Sequence, residues 1–239
     1  MKITLEDNID VHYMRPLIEV CVEGFAGAEI AIKAGADRLE LNSSLALDGL
    51  TPAFEVLVAT KQLTTIPVIC MLRPQATSFT YDFTTQLSML RDLEEMLARG
   101  AEGVAVGGLT QGGEIDLQFM SELRKRSVGK TLVMHRAFDQ LRDQSVGLEQ
   151  LIDLGVDRVL TSGGAVSAEA GAVQLRQLMI QSRGRIEILP GAGILPSNAE
   201  SLLRITGCNQ LHGTFKQAQR QPILPDAHAI AELKQLRIS

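Results

Sequence analysis

Ala34-Gly35-Ala36-Asp37-Arg38 puts a glycine where a helix should stop, a carboxylate two positions on, and then opens the apolar run Arg38-Leu-Glu-Leu41. The phrase returns three times, as Arg99-Gly100-Ala101-Glu102-Gly103, Leu154-Gly155-Val156-Asp157-Arg158 and Thr206-Gly207-Cys208-Asn209-Gln210. A glycine just past the last helical turn takes the left-handed conformation that closes a helix. Each phrase therefore marks a helix-to-strand junction. The glycines stand 65, 55 and 52 residues apart, about two strand–helix units each. They are expected to precede strands two, four, six and eight.

The rest of the chain fills in the odd-numbered units. Strands are expected at Leu17–Val22, Arg38–Leu41, Pro67–Met71, Gly103–Val106, Lys130–Met134, Arg158–Leu160, Arg185–Leu189 and Gln210–His212. Helices are expected near 26–34, 52–62, 84–99, 116–126, 145–154, 167–182 and 197–205, with Asp226 opening a last one. Strict alternation of strand and helix implies a parallel sheet. Eight units in 239 residues match the size of a (β/α)8 TIM barrel. The expected fold class is thus α/β, a TIM barrel in one domain over 17–239, with residues 1–16 as a polar N-terminal extension.

Composition narrows the function. Apolar residues make up 45% of the chain, enough for a large core. Lys and Arg number 23 against 28 Asp and Glu, a net charge of −5. With no Trp and only two Tyr, there is neither a basic footprint nor a stacking platform for nucleic acid. No apolar run reaches the length of a membrane span, and the N-terminus does not read as a signal peptide. Three scattered cysteines, Cys21, Cys70 and Cys208, form no disulfide framework or zinc pattern, which points to the reducing cytoplasm.

In such barrels the functional side chains stand at the C-terminal ends of the strands. Strand one offers Glu19 and Cys21, two apart and so on one face, and strand two offers Glu40 and Asn42. Strand three offers Arg73, strand five His135, Arg136 and Asp139, and strand eight His212. Glu19, Glu40, His135 and Asp139 are the candidate proton-transfer residues, with Asp139 or a glutamate orienting the imidazole. Arg73 and Arg136 suit a carboxylate or phosphate. The turns Thr161-Ser162-Gly163-Gly164 and Pro190-Gly191-Ala192-Gly193 offer backbone amides to an anion, and His212 adds a polar group there. The same charges can also form a purely structural ion network inside the barrel. Cys21 is the one well-placed thiol for a soft metal such as Cu(I).

Glu19-Val-Cys-Val22, Gly35-Ala-Asp-Arg-Leu-Glu-Leu41, Gly49-Leu-Thr-Pro52, Met71-Leu-Arg-Pro74, His135-Arg-Ala-Phe-Asp139, Asp157-Arg-Val-Leu-Thr-Ser-Gly-Gly164 and Pro190-Gly-Ala-Gly193, in this order, resemble the CutC family. The resemblance implies a cytoplasmic TIM-barrel protein of copper homeostasis that forms homo-oligomers, dimers or tetramers. It also implies copper ligation by two cysteines, of which this chain keeps Cys21 and carries Asn42 in place of the other. Its third strand reads Arg73-Pro74-Gln75, one positive charge short of the family's usual pattern. Two functions follow as expectations. One is copper binding; the other is an isomerase- or lyase-type enzyme, or a sensor, acting on a small anionic or phosphorylated metabolite at the C-terminal mouth of the barrel.

Overall fold

The computed structural model describes residues 14–216 and 223–238. Eight strands alternate with eight helices among these residues. They are β1 (Leu17–Glu23), α1 (Gly24–Lys33), β2 (Arg38–Asn42), α2 (Phe54–Leu63), β3 (Val68–Met71), α3 (Phe83–Ala98), β4 (Gly103–Val106) and α4 (Leu117–Arg126). There follow β5 (Thr131–Met134), α5 (Gln144–Asp153), β6 (Arg158–Thr161), α6 (Ala172–Ser182), β7 (Glu187–Pro190), α7 (Pro196–Thr206), β8 (Gln210–Gly213) and α8 (Ala227–Leu233). All strand pairs are parallel, and the ladder runs β7-β6-β5-β4-β3-β2-β1-β8. The circle is closed at β7–β8 by a side chain: Gln210 Nε2 donates to the Ile188 carbonyl at 3.4 Å. This is the expected TIM barrel.

The repeated junction has a physical basis. Gly35, Gly100, Gly155 and Gly207 all have positive φ, from 71° to 98°, at the ends of α1, α3, α5 and α7. The carboxylate two positions on caps the preceding odd-numbered strand. Asp37 Oδ2 accepts the Ile18 amide at 2.8 Å, Glu102 Oε2 that of Val68 at 2.8 Å, and Asp157 Oδ2 that of Leu132 at 2.7 Å. In the fourth copy the carbonyl of Asn209 accepts the Leu17 amide instead, at 2.9 Å. The residue after each carboxylate starts an even-numbered strand, so the phrase lays down a layer from alternate strands.

Two details differ from expectation. The helix expected at 167–182 starts at Ala172. Gly171 lies so close to the Ser162 carbonyl that a Cβ there would sit 1.9 Å from the oxygen, and Ala168 is tied to Ala192 by a 2.9 Å backbone bond. The preceding turn is thereby pinned to the barrel rim. The strand expected at 185–189 is shifted to Glu187–Pro190. Of the expected extension, residues 1–13 lie outside the described residues. Met14 pairs antiparallel with Ile238.

The main apolar core lies between the sheet and the helices, built from Val20, Val22, Leu39, Leu41, Val104 and Leu132 on the strands and Leu57, Leu93, Met120 and Leu151 on the helices. The barrel interior is divided. Ile69, Met71, Ala105, Val133, Leu160 and Leu189 form a separate apolar cluster from β3 to β7. β1, β2 and β8 fill their side with Glu19, Cys21, Glu40, Asn42, Gln210 and His212, all buried.

Candidate metal centre inside the barrel

Period-two alternation sends Glu19 and Cys21 inward from β1, and Arg38, Glu40 and Asn42 inward from β2. Ladder register puts Glu19 opposite Arg38 and His212, and Cys21 opposite Glu40. Near the N-terminal end of the barrel, Arg38 Nε pairs with Glu19 Oε2, and Arg38 Nη2 donates to Gln210 Oε1 at 2.9 Å. Arg158 Nε meets Glu187 Oε2 at 2.6 Å, and its Nη1 lies 4.0 Å from Glu19 Oε2. Burial works against ionisation of Glu19, but Arg38 first, then His212 and Arg158, outweigh it and hold its pKa at about 2.

Above this layer three donors converge. A Cys21 Sγ, a Glu40 carboxylate oxygen and a His212 ring nitrogen lie within 4.8 Å of one another, all buried. His212 Nδ1 sits 2.7 Å from Glu19 Oε1 and Nε2 sits 3.7 Å from Glu40 Oε2. Because Glu19 is ionised, Nδ1 donates to it, and Nε2 is the nitrogen turned toward Glu40. Carboxylate–histidine pairing of this kind fixes the ring and its tautomer at metal sites. Asn42 Nδ2 lies 3.0 Å from Glu40 Oε2 and 3.3 Å from Cys21 Sγ, so the carboxamide donates to the cluster.

The cluster holds protons as well as donors. Burial, followed by the neighbouring Glu40 carboxylate, pushes the Cys21 thiol well above its ordinary pKa. Burial disfavours the His212 imidazolium, but Glu40 and then Glu19 outweigh it, so its pKa is raised. By contrast, burial pushes Cys70 up to about 12 and Cys208 to about 11. Neither belongs to a group of convergent metal donors among the described residues.

The other sequence candidates lie past the C-terminal ends of the strands. Asp139 does not orient His135. Its Oδ1 accepts from Thr161 Oγ1 at 2.5 Å and from the Gly164 amide at 3.1 Å, and its Oδ2 accepts from Ser162 Oγ at 3.0 Å. The turn after β6 is thus an anion nest filled by the protein's own carboxylate, and the Gly163 amide is taken by Thr161 Oγ1 at 2.9 Å. Arg136, half-exposed, pairs with the same Asp139 at 2.9 Å. The Gly191 amide donates to Thr161 O at 3.0 Å, and the Gly193 carbonyl accepts from Asn198 Nδ2 at 3.0 Å. His135 Nδ1 accepts the Ala137 amide at 3.1 Å, and Arg73 donates to backbone carbonyls. The ion network that the sequence allowed inside the barrel is built around Glu19 by Arg38 and Arg158, not by Arg73 or Arg136.

Arg38 and Arg158 were absent from the sequence-level candidates, although the repeated junction carries their signal. They occupy the same position, three after the glycine, in the second and sixth units, and Gln210 occupies it in the eighth. Gly107 is a second omission. A Cβ there would lie 2.7 Å from His135 Cε1, so only glycine lets the imidazole lean across β4.

The model of the CutC family matches residues 16–217. A CutC family protein of Vibrio atlanticus is 39% identical over 222 residues, covering 92% of this chain and 89% of its own. One of Caulobacter vibrioides is 43% identical over 201 residues, covering 84% and 82%. The solved structure of a Streptococcus agalactiae protein named as the copper homeostasis protein CutC superposes with a TM-score of 0.80 at 30% identity, covering 83% of this chain and 98% of that one. Among the described residues no helix is long and apolar enough to cross a membrane. On the sequence match, the identities and the shared barrel, this chain belongs to the CutC family.

Proposed function

We propose that this protein serves copper homeostasis by binding a Cu(I) ion inside the barrel, with Cys21 and His212 as the principal ligands and Glu40 beside them. The observation that carries the reading is the convergence of Sγ, imidazole nitrogen and carboxylate within 4.8 Å, with Glu19 holding the far side of the ring. Thiolate and imidazole are donors that copper favours. His212 supplies the second strong donor that Asn42, a carboxamide, does not. The ion is cargo here, and the protein's part is to hold it away from water. Reducing surroundings, such as the cytoplasm, suit a chain whose Cys21, Cys70 and Cys208 are all free.

Binding must displace the Cys21 thiol proton and the His212 Nε2 proton. Burial and Glu40 raise the Cys21 pKa well above its ordinary value, so the thiol keeps its proton near neutrality, and Glu40 and Glu19 let His212 hold its proton to higher pH than an ordinary imidazole. Affinity for Cu(I) therefore rises with pH, by about tenfold per unit for each proton released. Anaerobic titration against a Cu(I) chelator of known affinity, between about pH 6 and pH 8, checks this. A flat profile would mean that neither proton is lost and would remove this site from the account.

The alternative, an enzyme or sensor for a small anionic metabolite, draws its support from Arg73 and His135 at the mouth, which lie outside the copper cluster.

A further inference from the structure

Arg73 and His135 stand on either side of Gly107 at the C-terminal mouth, and the imidazole packs over the glycine. Met71 pairs with Ala105 and Val106 with Met134, so Gly107, one past β4, lies between Arg73, two past β3, and His135, one past β5. The ring of Phe79 covers both: Arg73 Cζ is 5.0 Å and the His135 ring centroid 4.9 Å from its centroid.

Each side chain keeps one buried donor with no protein partner, Arg73 Nε and His135 Nε2. Arg73 is 6% and His135 2% exposed. The Ala137 amide donates to His135 Nδ1, so the neutral ring carries its proton on Nε2. Burial, and then the Arg73 charge, lowers the His135 pKa to about 3, so at neutral pH the ring is a neutral donor. The remaining nitrogens of Arg73 are engaged at 2.9 Å with the carbonyls of Leu47, Gly49 and Ala76, which fixes the guanidinium plane. Among the described residues no carboxylate lies within ion-pair distance of Arg73, whereas Arg38, Arg158 and Arg136 each have one. A buried cation without a counterion is costly, and buried donors are normally satisfied.

We propose that the barrel mouth binds a small carboxylate monoanion, whose oxygens accept from Arg73 Nε–H and His135 Nε2–H. One guanidinium and one neutral donor match a single negative charge. A phosphate monoester brings about −1.5 to −2 at neutral pH and would leave excess charge in a buried site. This site uses none of Cys21, Glu40 and His212, and so stands apart from the copper reading.

The test uses the copper-free protein with acetate as the probe and inorganic phosphate as the comparison. Nitrogen-edited NMR follows the His135 Nε2–H signal in the wild type, and the backbone amides of Gly107 and Ala137 in every variant, during titration. Saturable acetate binding is expected, with phosphate weaker by about tenfold or more. Arg73→Gln and His135→Phe should each weaken acetate by about tenfold or more, the worth of a hydrogen bond to a charged group. Absence of saturation in the folded wild type, tighter binding of phosphate, or unchanged binding in both variants would overturn the proposal. If Arg73→Gln does not fold, the wild-type signal and His135→Phe decide. A failed copper titration leaves the acetate result untouched.

Discussion

Arg38→Met lowers the stability of the barrel by about 3–5 kcal/mol, the cost of stranding one partner of a buried ion pair. Glu19 is 2% exposed and Arg38 is the cation that most lowers its pKa. The substitution also leaves Gln210 Oε1 without its donor. Arg158, whose Nη1 is 4.0 Å from Glu19, supplies only part of the missing charge. Equilibrium unfolding in urea at neutral pH measures the loss. The pH dependence identifies its source. Glu19 has a depressed folded pKa of about 2, against an ordinary value of 4.5, so its pairing stabilises the fold fully above the ordinary value. That stabilisation fades as pH falls through the folded value. The gap between wild type and Arg38→Met should therefore narrow between about pH 5 and pH 2. A loss below about 1 kcal/mol, as for an exposed pair, would contradict the buried network.

Cys21→Ser weakens Cu(I) binding by more than the 10–100-fold that substitution of an outer-shell partner typically costs, about 100-fold or more. A hydroxyl is a hard donor of high pKa and replaces the one thiol of the cluster. Chelator competition under anaerobic conditions reads the change. Cys208→Ser serves as control, because that thiol sits at the junction between α7 and β8 and takes no part in the cluster. Equal losses in both variants would point to general destabilisation, and no loss in Cys21→Ser would place copper elsewhere.

The fold was legible because its signals are local. Gly35, Gly100, Gly155 and Gly207 close helices through positive φ, and the acidic residue that follows in three of the four copies ties down a neighbouring strand. Neither needs knowledge of distant contacts. The start of α6 was not legible, because Gly171 is set against the Ser162 carbonyl, a tertiary contact. The site was legible in its residue types but not in its pairings. Parity alone puts Glu19, Cys21 and Glu40 inside the barrel. Which arginine meets Glu19 depends on strand register, which puts Arg38 opposite it. Asp139 or a glutamate is the sequence's candidate to orient His135, yet the turn after β6 offers Asp139 amides and hydroxyls in a ready-made nest. His212 gained most from the structure. As a lone histidine on the last strand it was one polar group among several, and the closing of the barrel sets it against β1.

The identity of the ligand atoms around copper tests the account most directly. X-ray absorption at the copper edge of the anaerobically loaded protein should show Cu(I) with a single sulfur neighbour and light-atom scatterers that include imidazole, and the sulfur contribution should vanish in Cys21→Ser. Two or more sulfur neighbours, or a spectrum unchanged by Cys21→Ser, would contradict a site built on Cys21 and His212.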